Sequence, residues 1–234
     1  MNDTTSKIKS STELESSTVN TSKLNNKKNF ICYAATKRLI DIIGAFVALI
    51  LTFPIFIIIS VLYLFGDNKG PIFFAQERVG KGGNLFKMYK FRSMIVDAER
   101  VLKNDKVLYK KYLENNYKLE PEEDPRVTKF GNLLRKTSLD ELPQLINVLK
   151  GDMSLVGPRP VIQEELKEYH QRLQEFITVK PGVTGYWQIC GRSDVGYPER
   201  ADLEFYYIDH QGVKLDTKII INTILLVITR KGAY

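Results

Sequence analysis

Two adjacent carboxylates, Asp140 and Glu141, stand among cationic side chains in the stretch RKTSLDELPQL. Carboxylate oxygens bind hard divalent cations, and an aspartate can also attack phosphorus to form an acyl phosphate. Arg135 precedes the pair and Arg159 follows it, and planar guanidinium groups bind phosphate oxygens well. These residue types are therefore compatible with metal-assisted chemistry on a phosphate or pyrophosphate, and the pattern alone indicates nothing narrower.

The same acids also fit a purely structural role at the start of a helix. Ser138, followed three residues later by Glu141, is a capping-box pattern, and acids in a first turn complement the helix dipole. Pro143 complicates this interpretation because proline prefers the first turn and disfavours helical angles at Leu142. The helix then starts nearer Leu142 and leaves both acids on the approach loop.

The composition favours an anionic partner. The 234 residues carry a formal net charge of +7 and have a pI near 9.2, which fits nucleic acid, phosphorylated small molecules or an anionic membrane surface. Only two histidines are present, so a histidine-rich metal site is excluded and a Ser-His-Asp triad is disfavoured. The two cysteines form no C-x-x-C pattern, which predicts reduced thiols in a cytosolic setting.

A polar N-terminal segment gives way abruptly to a long apolar one. Residues 1–30 contain only scattered apolar side chains, so we expect a disordered tail without a signal peptide. From Leu39 to Phe65 the only charge is Asp41, and a helix of this length exceeds the roughly 20 residues that cross a bilayer. Pro54 lies near its middle and should kink the helix.

Basic residues flank both ends of the apolar segment, and this leaves its topology open. Positive charge prefers the cytoplasmic side of a membrane, and lysine or arginine stands at positions 37, 38, 69, 78 and 81. A helix that enters, bends at Pro54 and returns to the same face would satisfy both ends. A straight single span with one basic end outside is the alternative, and the residue pattern does not separate the two.

Short strands and helices are predicted for the rest of the chain. The stretch 71–92 predicts two strands around a turn at Gly80–Gly83, which matches neither phosphate-binding glycine motif. On the second strand Lys90 and Arg92 share one face. We expect helices over residues 93–117, 127–136, 139–149 and 162–178. The C-terminal apolar run should either lie in the membrane interface or pack on the domain.

Several stretches occur in the order typical of one family: KRLIDIIGA, the apolar segment with Pro54, GPIFFAQERVG, FKMYKFRSM, RKTSLDELPQLINVLKGDMSLVGPRP and KPGVTGYWQICGR. Each motif is weak alone, but the ordered set covers about residues 36–230. The chain resembles the bacterial sugar transferases, that is, the monotopic polyprenyl-phosphate phosphoglycosyl transferases. Larger relatives carry an additional N-terminal membrane domain, and this chain resembles their catalytic core with a polar tail.

The resemblance implies a reaction on the cytosolic face of the bacterial inner membrane. A phosphosugar passes from a UDP-sugar to undecaprenyl phosphate, which yields the undecaprenyl-diphosphate sugar and UMP and begins the synthesis of exopolysaccharide or capsule. The resemblance also implies Mg²⁺ as the cofactor, no nucleic-acid partner and a homodimer as one option for the assembly. Neither the sugar nor the pathway follows from the motifs.

The resemblance also assigns roles to residues of this chain. Asp140 would attack the sugar-bearing phosphorus through a covalent aspartyl intermediate and would contact Mg²⁺. Glu141 would support Asp140 or the metal. The substrate-binding side chains would be the four cations Lys90, Arg92, Arg135 and Arg159.

The implied fold is α+β: a small, mostly helical cytosolic domain with a short β-hairpin, attached to a re-entrant, Pro-kinked membrane helix. The expected boundaries are a disordered tail at 1–30, the re-entrant helix at 31–68 and the catalytic domain at 69–234 with a C-terminal interfacial helix. Relatives commonly carry serine before the proline, where this chain has Phe53. Thr52 is therefore the candidate to bond a carbonyl freed at the break.

Two other functions compete with the enzyme. A non-catalytic membrane adaptor would use the basic domain to bind anionic lipid or partner proteins, and it predicts that Asp140→Asn leaves function intact. A membrane-tethered nucleic-acid binder is disfavoured because the chain has no recognisable nucleic-acid-binding motif. The acid pair and its surrounding cations favour the enzyme.

Overall fold

The computed structural model describes the chain in two compact units, Met1–Ile40 and Asp41–Tyr234. The acid pair and the four candidate substrate-binding cations, Lys90, Arg92, Arg135 and Arg159, lie in the second unit. The predicted disordered tail over residues 1–30 lies outside the residues whose side chains are described, so it stays a prediction. The residues described in full are 31–65, 68–115, 117, 119, 124–191, 195–227 and 229.

The first helix, α1, comprises Asp3–Leu62 and contains the apolar segment. Within the described residues, Ile31–Leu62 is the one helical stretch whose length and mean hydropathy of 2.9 would suffice to cross a membrane. Pro54 lies inside α1, which continues to Leu62. The Thr52 hydroxyl donates to the carbonyl of Ala48 at 2.7 Å. Thr52 therefore bonds a different carbonyl from that of Ile50, which Pro54 leaves without its usual donor.

From Asp41 onwards, one side of α1 packs on the rest of the second unit. Ala45 is buried with Met88 and Val148, and Ile59 is buried with Phe91 and Leu134. The packed positions recur at intervals of three and four residues, as expected for one face of a helix. The other sides expose large apolar residues: Ile42, Ile43, Phe46, Val47, Ile50, Leu51, Phe53, Ile57, Ile58, Val61 and Leu62.

Asp41, the lone charge of the apolar segment, is buried against the domain with only 4% of its surface exposed. Its Oδ1 accepts a hydrogen bond from Ser154 Oγ at 3.0 Å and from the backbone N–H of Leu155 at 2.8 Å. A charge in an apolar helix is tolerated when it is paired with donors in this way. The side chain therefore ties α1 to the strand that contains Ser154.

Two small sheets lie on the domain side of α1. Strands β1 (Phe73–Val79) and β2 (Leu85–Phe91) form the predicted antiparallel hairpin, joined through the 3₁₀ turn Lys81–Gly83. Strands β3 (Ser154–Val156) and β4 (Gly182–Thr184) pair in parallel. This second sheet was not predicted, because three-residue strands carry no readable alternation and their pairing is decided by distant chain segments.

The helices are shorter and more broken than the sequence predicts. The helix expected over 93–117 is two helices, because Asp105 accepts from the N–H groups of Val107 and Leu108 and starts a new one. Most of the helix expected over 162–178 is a 3₁₀ helix, Gln163–Arg172. The α-helices after α1 are α2 Ala98–Asn104, α3 Lys106–Glu114, α4 Lys129–Lys136, α5 Gln144–Lys150, α6 Leu173–Phe176, α7 Tyr186–Cys190, α8 Glu199–His210 and α9 Val213–Thr229.

Helix α9 answers one of the open questions at the C-terminus. Ile219 is fully buried with Val156 and Tyr207, so one face of α9 packs on the domain. Ile224 and Leu225 on the remaining surface are each 54% exposed. Packing on the domain is thus confirmed, and contact of the exposed side with a membrane interface stays a prediction. The protein is mostly helical with short strands, as the α+β prediction required.

The bonds of Asp41 predict a stability effect far from the acid pair. Asp41→Ala should lower the free energy of unfolding by about 1–3 kcal/mol, because Leu155 N–H and Ser154 Oγ lose their buried acceptor. Asp41→Asn keeps an acceptor oxygen and should cost less. Thermal unfolding of the detergent-extracted protein measures both. The exposed Asp202 provides the control, Asp202→Ala, and equal melting temperatures for all three variants would contradict the role of Asp41.

Candidate active site

The acid pair lies on the 3₁₀ turn Leu139–Glu141, between α4 and α5. Ser138 adopts a left-handed conformation with φ of 56°, and its side chain makes no capping hydrogen bond to the described residues that follow. The capping-box interpretation is therefore wrong. Helix α5 begins only at Gln144, after Pro143, so both acids precede the helix, as the alternative interpretation predicted. The proline stops the helix from absorbing the acids into its first turn.

Asp140 is a buried carboxyl, with 6% of its surface exposed. Burial raises its pKa above the ordinary aspartate value, and the charge of Glu141 raises the pKa further. Lys90 and Arg135 act in the opposite direction, because each stabilises the ionised form. A carboxylate with a raised pKa is a stronger nucleophile once it is ionised, so this environment suits attack on an electrophile.

Glu141 is held differently from its neighbour. Its Oε1 lies 2.7 Å from Lys90 Nζ, in a half-buried ion pair. Burial alone would raise the pKa of Glu141, but the charge and hydrogen bond of Lys90, with Arg159 and Gln144 assisting, lower it below the ordinary glutamate value. Glu141 is therefore ionised at neutral pH and committed to Lys90, which leaves Asp140 as the carboxyl available for reaction.

Arg135 interacts with Asp140, whereas the hydrogen bonds of Arg92 go to the connection between α1 and β1. Arg135 Nε donates to Ser93 Oγ at 2.9 Å, and the side chain is close enough to Asp140 for their charges to interact. Arg92 Nε donates to the carbonyl of Pro71 at 2.8 Å, and its Nη2 donates to the carbonyl of Asn68 at 2.5 Å. Arg92 thus holds the connection between α1 and β1, and its guanidinium does not line the cleft beside the acids.

A small, partly open cleft lies beside Glu141 and brings distant segments together. Lys90 from β2 and Arg159 from the GPRP segment line it together with Glu141. The lining residues are Arg78, Met88, Lys90, Glu141, Gln144, Arg159, Pro160, Gly182, Val183, Trp187 and Gln188. Lys90, Glu141 and Arg159 therefore line one cavity, as expected of a phosphate-binding site. Asp140 does not line it, but its charge interacts with those of Lys90, Glu141 and Arg135.

The cleft also contains residues to which the sequence reasoning gave no role: Arg78, Gln144, Trp187 and Gln188. Arg78 and Trp187 each fell within a quoted motif, but nothing in the motif distinguished them from their neighbours. Arg78 lies on β1, so its place in the cleft depends on the hairpin register, which pairs it with Phe86. The tryptophan's uniqueness in the chain was the one available signal.

The acid pair is the candidate site for a divalent metal ion. Among the described residues, no group of three or more His, Cys, Asp or Glu side chains could hold a cation alone. Mg²⁺ commonly binds through one or two carboxylates and completes its shell with waters and substrate phosphates. Asp140 and Glu141 fit this type of binding. Their negative charges repel each other, and a cation that arrives with a phosphorylated substrate would reduce that repulsion.

Comparison with known proteins agrees with the motifs. A family model described as bacterial sugar transferase matches residues 32–230. The chain is 43% identical over 202 residues to the undecaprenyl-phosphate galactose phosphotransferase of Salmonella typhimurium, which covers 85% of this chain and 41% of that protein. It is 39% identical over 206 residues to the UDP-glucose:undecaprenyl-phosphate glucose-1-phosphate transferase of Escherichia coli, again over 85% of this chain and 41% of that protein.

A shorter relative matches over nearly its whole length. The exopolysaccharide production protein ExoY of Sinorhizobium fredii is 40% identical over 203 residues, which are 85% of this chain and 88% of ExoY. The chain thus spans about two fifths of the two long relatives and most of the short one. Because the family model covers the apolar helix, the acid pair and the cleft together, the chain belongs to the bacterial sugar transferase family.

Proposed function

We propose that the protein transfers a phosphosugar from a UDP-sugar to undecaprenyl phosphate, releases UMP and so initiates synthesis of an exopolysaccharide or capsule. The observation that carries this proposal is the buried Asp140 carboxyl, flanked by Lys90 and Arg135 beside a cleft rich in cations. The names of the Salmonella and Escherichia relatives, both undecaprenyl-phosphate sugar phosphotransferases, support the reaction class. A membrane adaptor would have no need for this arrangement.

In the first half of the reaction, an Asp140 carboxylate oxygen forms a bond to the sugar-bearing phosphorus while the bond from that phosphorus to the UMP oxygen breaks. UMP leaves with the bonding electron pair. In the second half, an oxygen of the polyprenyl phosphate attacks the same phosphorus and the Asp140 carboxylate is regenerated. Splitting one transfer into two displacements is the usual advantage of a covalent intermediate.

The surrounding residues stabilise charge during both steps. Lys90 keeps Glu141 ionised and lowers the cost of an anion at Asp140. Arg159 supplies a guanidinium to the same cleft, where it can bind phosphate oxygens of the substrate. We propose that Asp140 and Glu141 also hold Mg²⁺, which would neutralise charge on the diphosphate.

We propose that α1 is a re-entrant helix, bent at Pro54, with both ends on the cytosolic side, and its contacts with the domain support the position of the two ends. The stretch from Asp41 to Ile59 packs on the same domain at both its ends, over roughly 27 Å at 1.5 Å per residue. A helix crossing a bilayer beyond the domain needs about 20 free residues. Residues 31–40, ahead of Asp41, include Lys37 and Arg38 and would supply only about 15 Å. The exposed apolar sides of α1 would then enter one leaflet.

The acid pair generates the first functional prediction. Detergent-extracted protein with Mg²⁺ and undecaprenyl phosphate should release UMP from one member of a panel of UDP-glucose, UDP-galactose and N-acetylated UDP-sugars. Asp140→Asn should reduce this release by about 10³-fold or more, because the nucleophile is lost, while the protein still folds and fractionates with membranes. Excess chelator should also stop turnover.

The matched control is Asp202→Asn, which changes an exposed aspartate in α8 and should leave UMP release unchanged. Retained turnover in Asp140→Asn would refute the nucleophile assignment. An absence of release with every UDP-sugar, from folded protein supplied with lipid, would favour the adaptor.

The pKa of Asp140 predicts the direction of a pH effect. Asp140 must be ionised to attack, so kcat/KM should fall as the pH drops through the raised pKa of this carboxyl. Lys90 lowers the pKa of both acids, so Lys90→Gln should raise both pKa values and move the acid limb of the kcat/KM profile to higher pH. Lys87→Gln is the control, because Lys87 is an exposed neighbour on β2 outside the cleft. An unshifted limb in Lys90→Gln would argue against Asp140 as the titrating base.

Membrane topology can be tested with single cysteines in a background that carries Cys32→Ser and Cys190→Ser. Ser11→Cys in the tail and Lys81→Cys at the hairpin turn should both be shielded from an impermeant thiol reagent in intact cells, because both ends of α1 would be cytosolic. Permeabilised cells provide the control and should label at both positions. Labelling at one position only in intact cells would establish a single span.

A further inference from the structure

Three side chains that line the cleft each contain a buried N–H donor without a partner. Among the described residues, Arg78 Nε, Arg159 Nε and Trp187 Nε1 are buried and make no hydrogen bond, and all three residues line the cleft. Buried donors are almost always satisfied in folded proteins, and an unsatisfied one is costly. Their concentration in one cavity indicates that a ligand supplies the missing acceptors.

The guanidinium groups of Arg78 and Arg159 lie close together at this end of the cleft, with the carboxylates of Glu165, Glu141 and Glu204 around Arg159. Arg78 contacts Glu165 Oε1 at 3.4 Å, and Arg200 contacts Glu165 Oε2 at 3.3 Å, so two guanidinium groups share one carboxylate. Arg159 makes no ion pair with any residue in the described part of the chain. Burial and the charge of Arg159 lower the pKa of Arg78 to about 10, which reflects two guanidinium groups close together in a site with little water.

The backbone of Arg159 is held in place by a buried carboxylate, and its guanidinium lies over an aromatic ring. Its backbone N–H donates to Glu204 Oε1 at 3.3 Å, and Glu204 in turn accepts a hydrogen bond from the Tyr169 hydroxyl. The Arg159 guanidinium carbon lies 5.5 Å from the centre of the Trp187 ring. Glu204 and Trp187 therefore fix the position of Arg159 before a ligand binds, which lowers the ordering cost of binding.

We propose that Arg78, Arg159 and Trp187 form a diphosphate-binding subsite of the cleft, in which Arg78 and Trp187 are binding residues and Glu165 and Glu204 are positioning residues. Tryptophan can only donate, and two guanidinium groups present planar N–H donors, so the ligand must offer several anionic acceptor oxygens. A diphosphate ester has this chemistry. The assignment rests on the proposed function, in which a UDP-sugar brings one diphosphate and the lipid product carries another.

Trp187 reports on its own site, because it is the only tryptophan in the chain. Its fluorescence in the full-length, detergent-extracted protein should change saturably when inorganic pyrophosphate or UDP is added. The titration is performed in chelator, so that any response comes from the cationic donors and not from a metal held by the acid pair. UMP should bind more weakly than UDP because it lacks the second phosphate. Farnesyl diphosphate, compared with UDP, shows whether the subsite prefers the nucleotide or the lipid diphosphate.

Arg78→Gln should raise the Kd for pyrophosphate by roughly 10- to 100-fold, because one charged donor pair is removed. The control is Arg100→Gln, which removes an exposed arginine paired only with Asp97 and should not change the Kd. Trp187→Phe keeps an aromatic ring and removes the donor. The affinity of the Trp187→Phe variant for UDP should also fall, and the rise in melting temperature on addition of UDP measures it. Circular dichroism confirms that each variant is folded.

Several outcomes would overturn the subsite. The first is the absence of a saturable change in Trp187 fluorescence when any of the diphosphates is added to the wild-type protein. The second is a Kd for pyrophosphate in Arg78→Gln that equals the wild-type value. Failure of the proposed function is a separate result. A wild-type protein that releases no UMP from any UDP-sugar, yet binds pyrophosphate through Arg78, would refute the transferase and leave the subsite standing.

Discussion

The ion pair between Lys90 and Glu141 is the contact on which the arrangement of the site depends. It joins β2 of the hairpin to the 3₁₀ turn that carries both acids, and it compensates for burying two adjacent carboxyls. Without a cation at this position, the two negative charges would repel each other in a poorly solvated site, and each pKa would rise. The pair thus separates the acids into an ionised glutamate committed to lysine and an aspartate available for reaction.

The apolar helix and the catalytic residues belong to one packed structure. The face of α1 from Ala45 to Ile59 covers β2 and α5, which position Lys90 and the segment behind the acids. Asp41 bonds the start of β3, and the chain leads from β3 directly into the segment that contains Arg159. A site built against a helix with an exposed apolar surface is well placed for a substrate that is dissolved in lipid. The helix therefore supports the site and exposes an apolar surface beside it.

The two sides of the cleft carry different charged groups. Its acid side pairs Glu141 with Lys90, whereas its other side contains the guanidinium groups of Arg78 and Arg159. A diphosphate placed across the cleft would supply anionic oxygens to the second side and an electrophilic phosphorus to the first. Preorganised charge of this kind lowers a reaction barrier because it does not have to reorient during the reaction.

The residue pattern was sufficient for the local features. It located the hairpin, the apolar helix and the acid pair. It offered the exclusion of both acids from α5 as one of two interpretations, on the basis of Pro143, while the expected helix over 139–149 began too early. It did not predict the β3–β4 sheet, the break at Asp105, the structural use of Arg92 or the presence of Arg78 and Trp187 in the cleft. Those features depend on contacts between segments far apart in the chain. An arginine on a strand has the same local pattern whether its guanidinium binds a backbone carbonyl or faces a ligand, and only tertiary packing decides between the two.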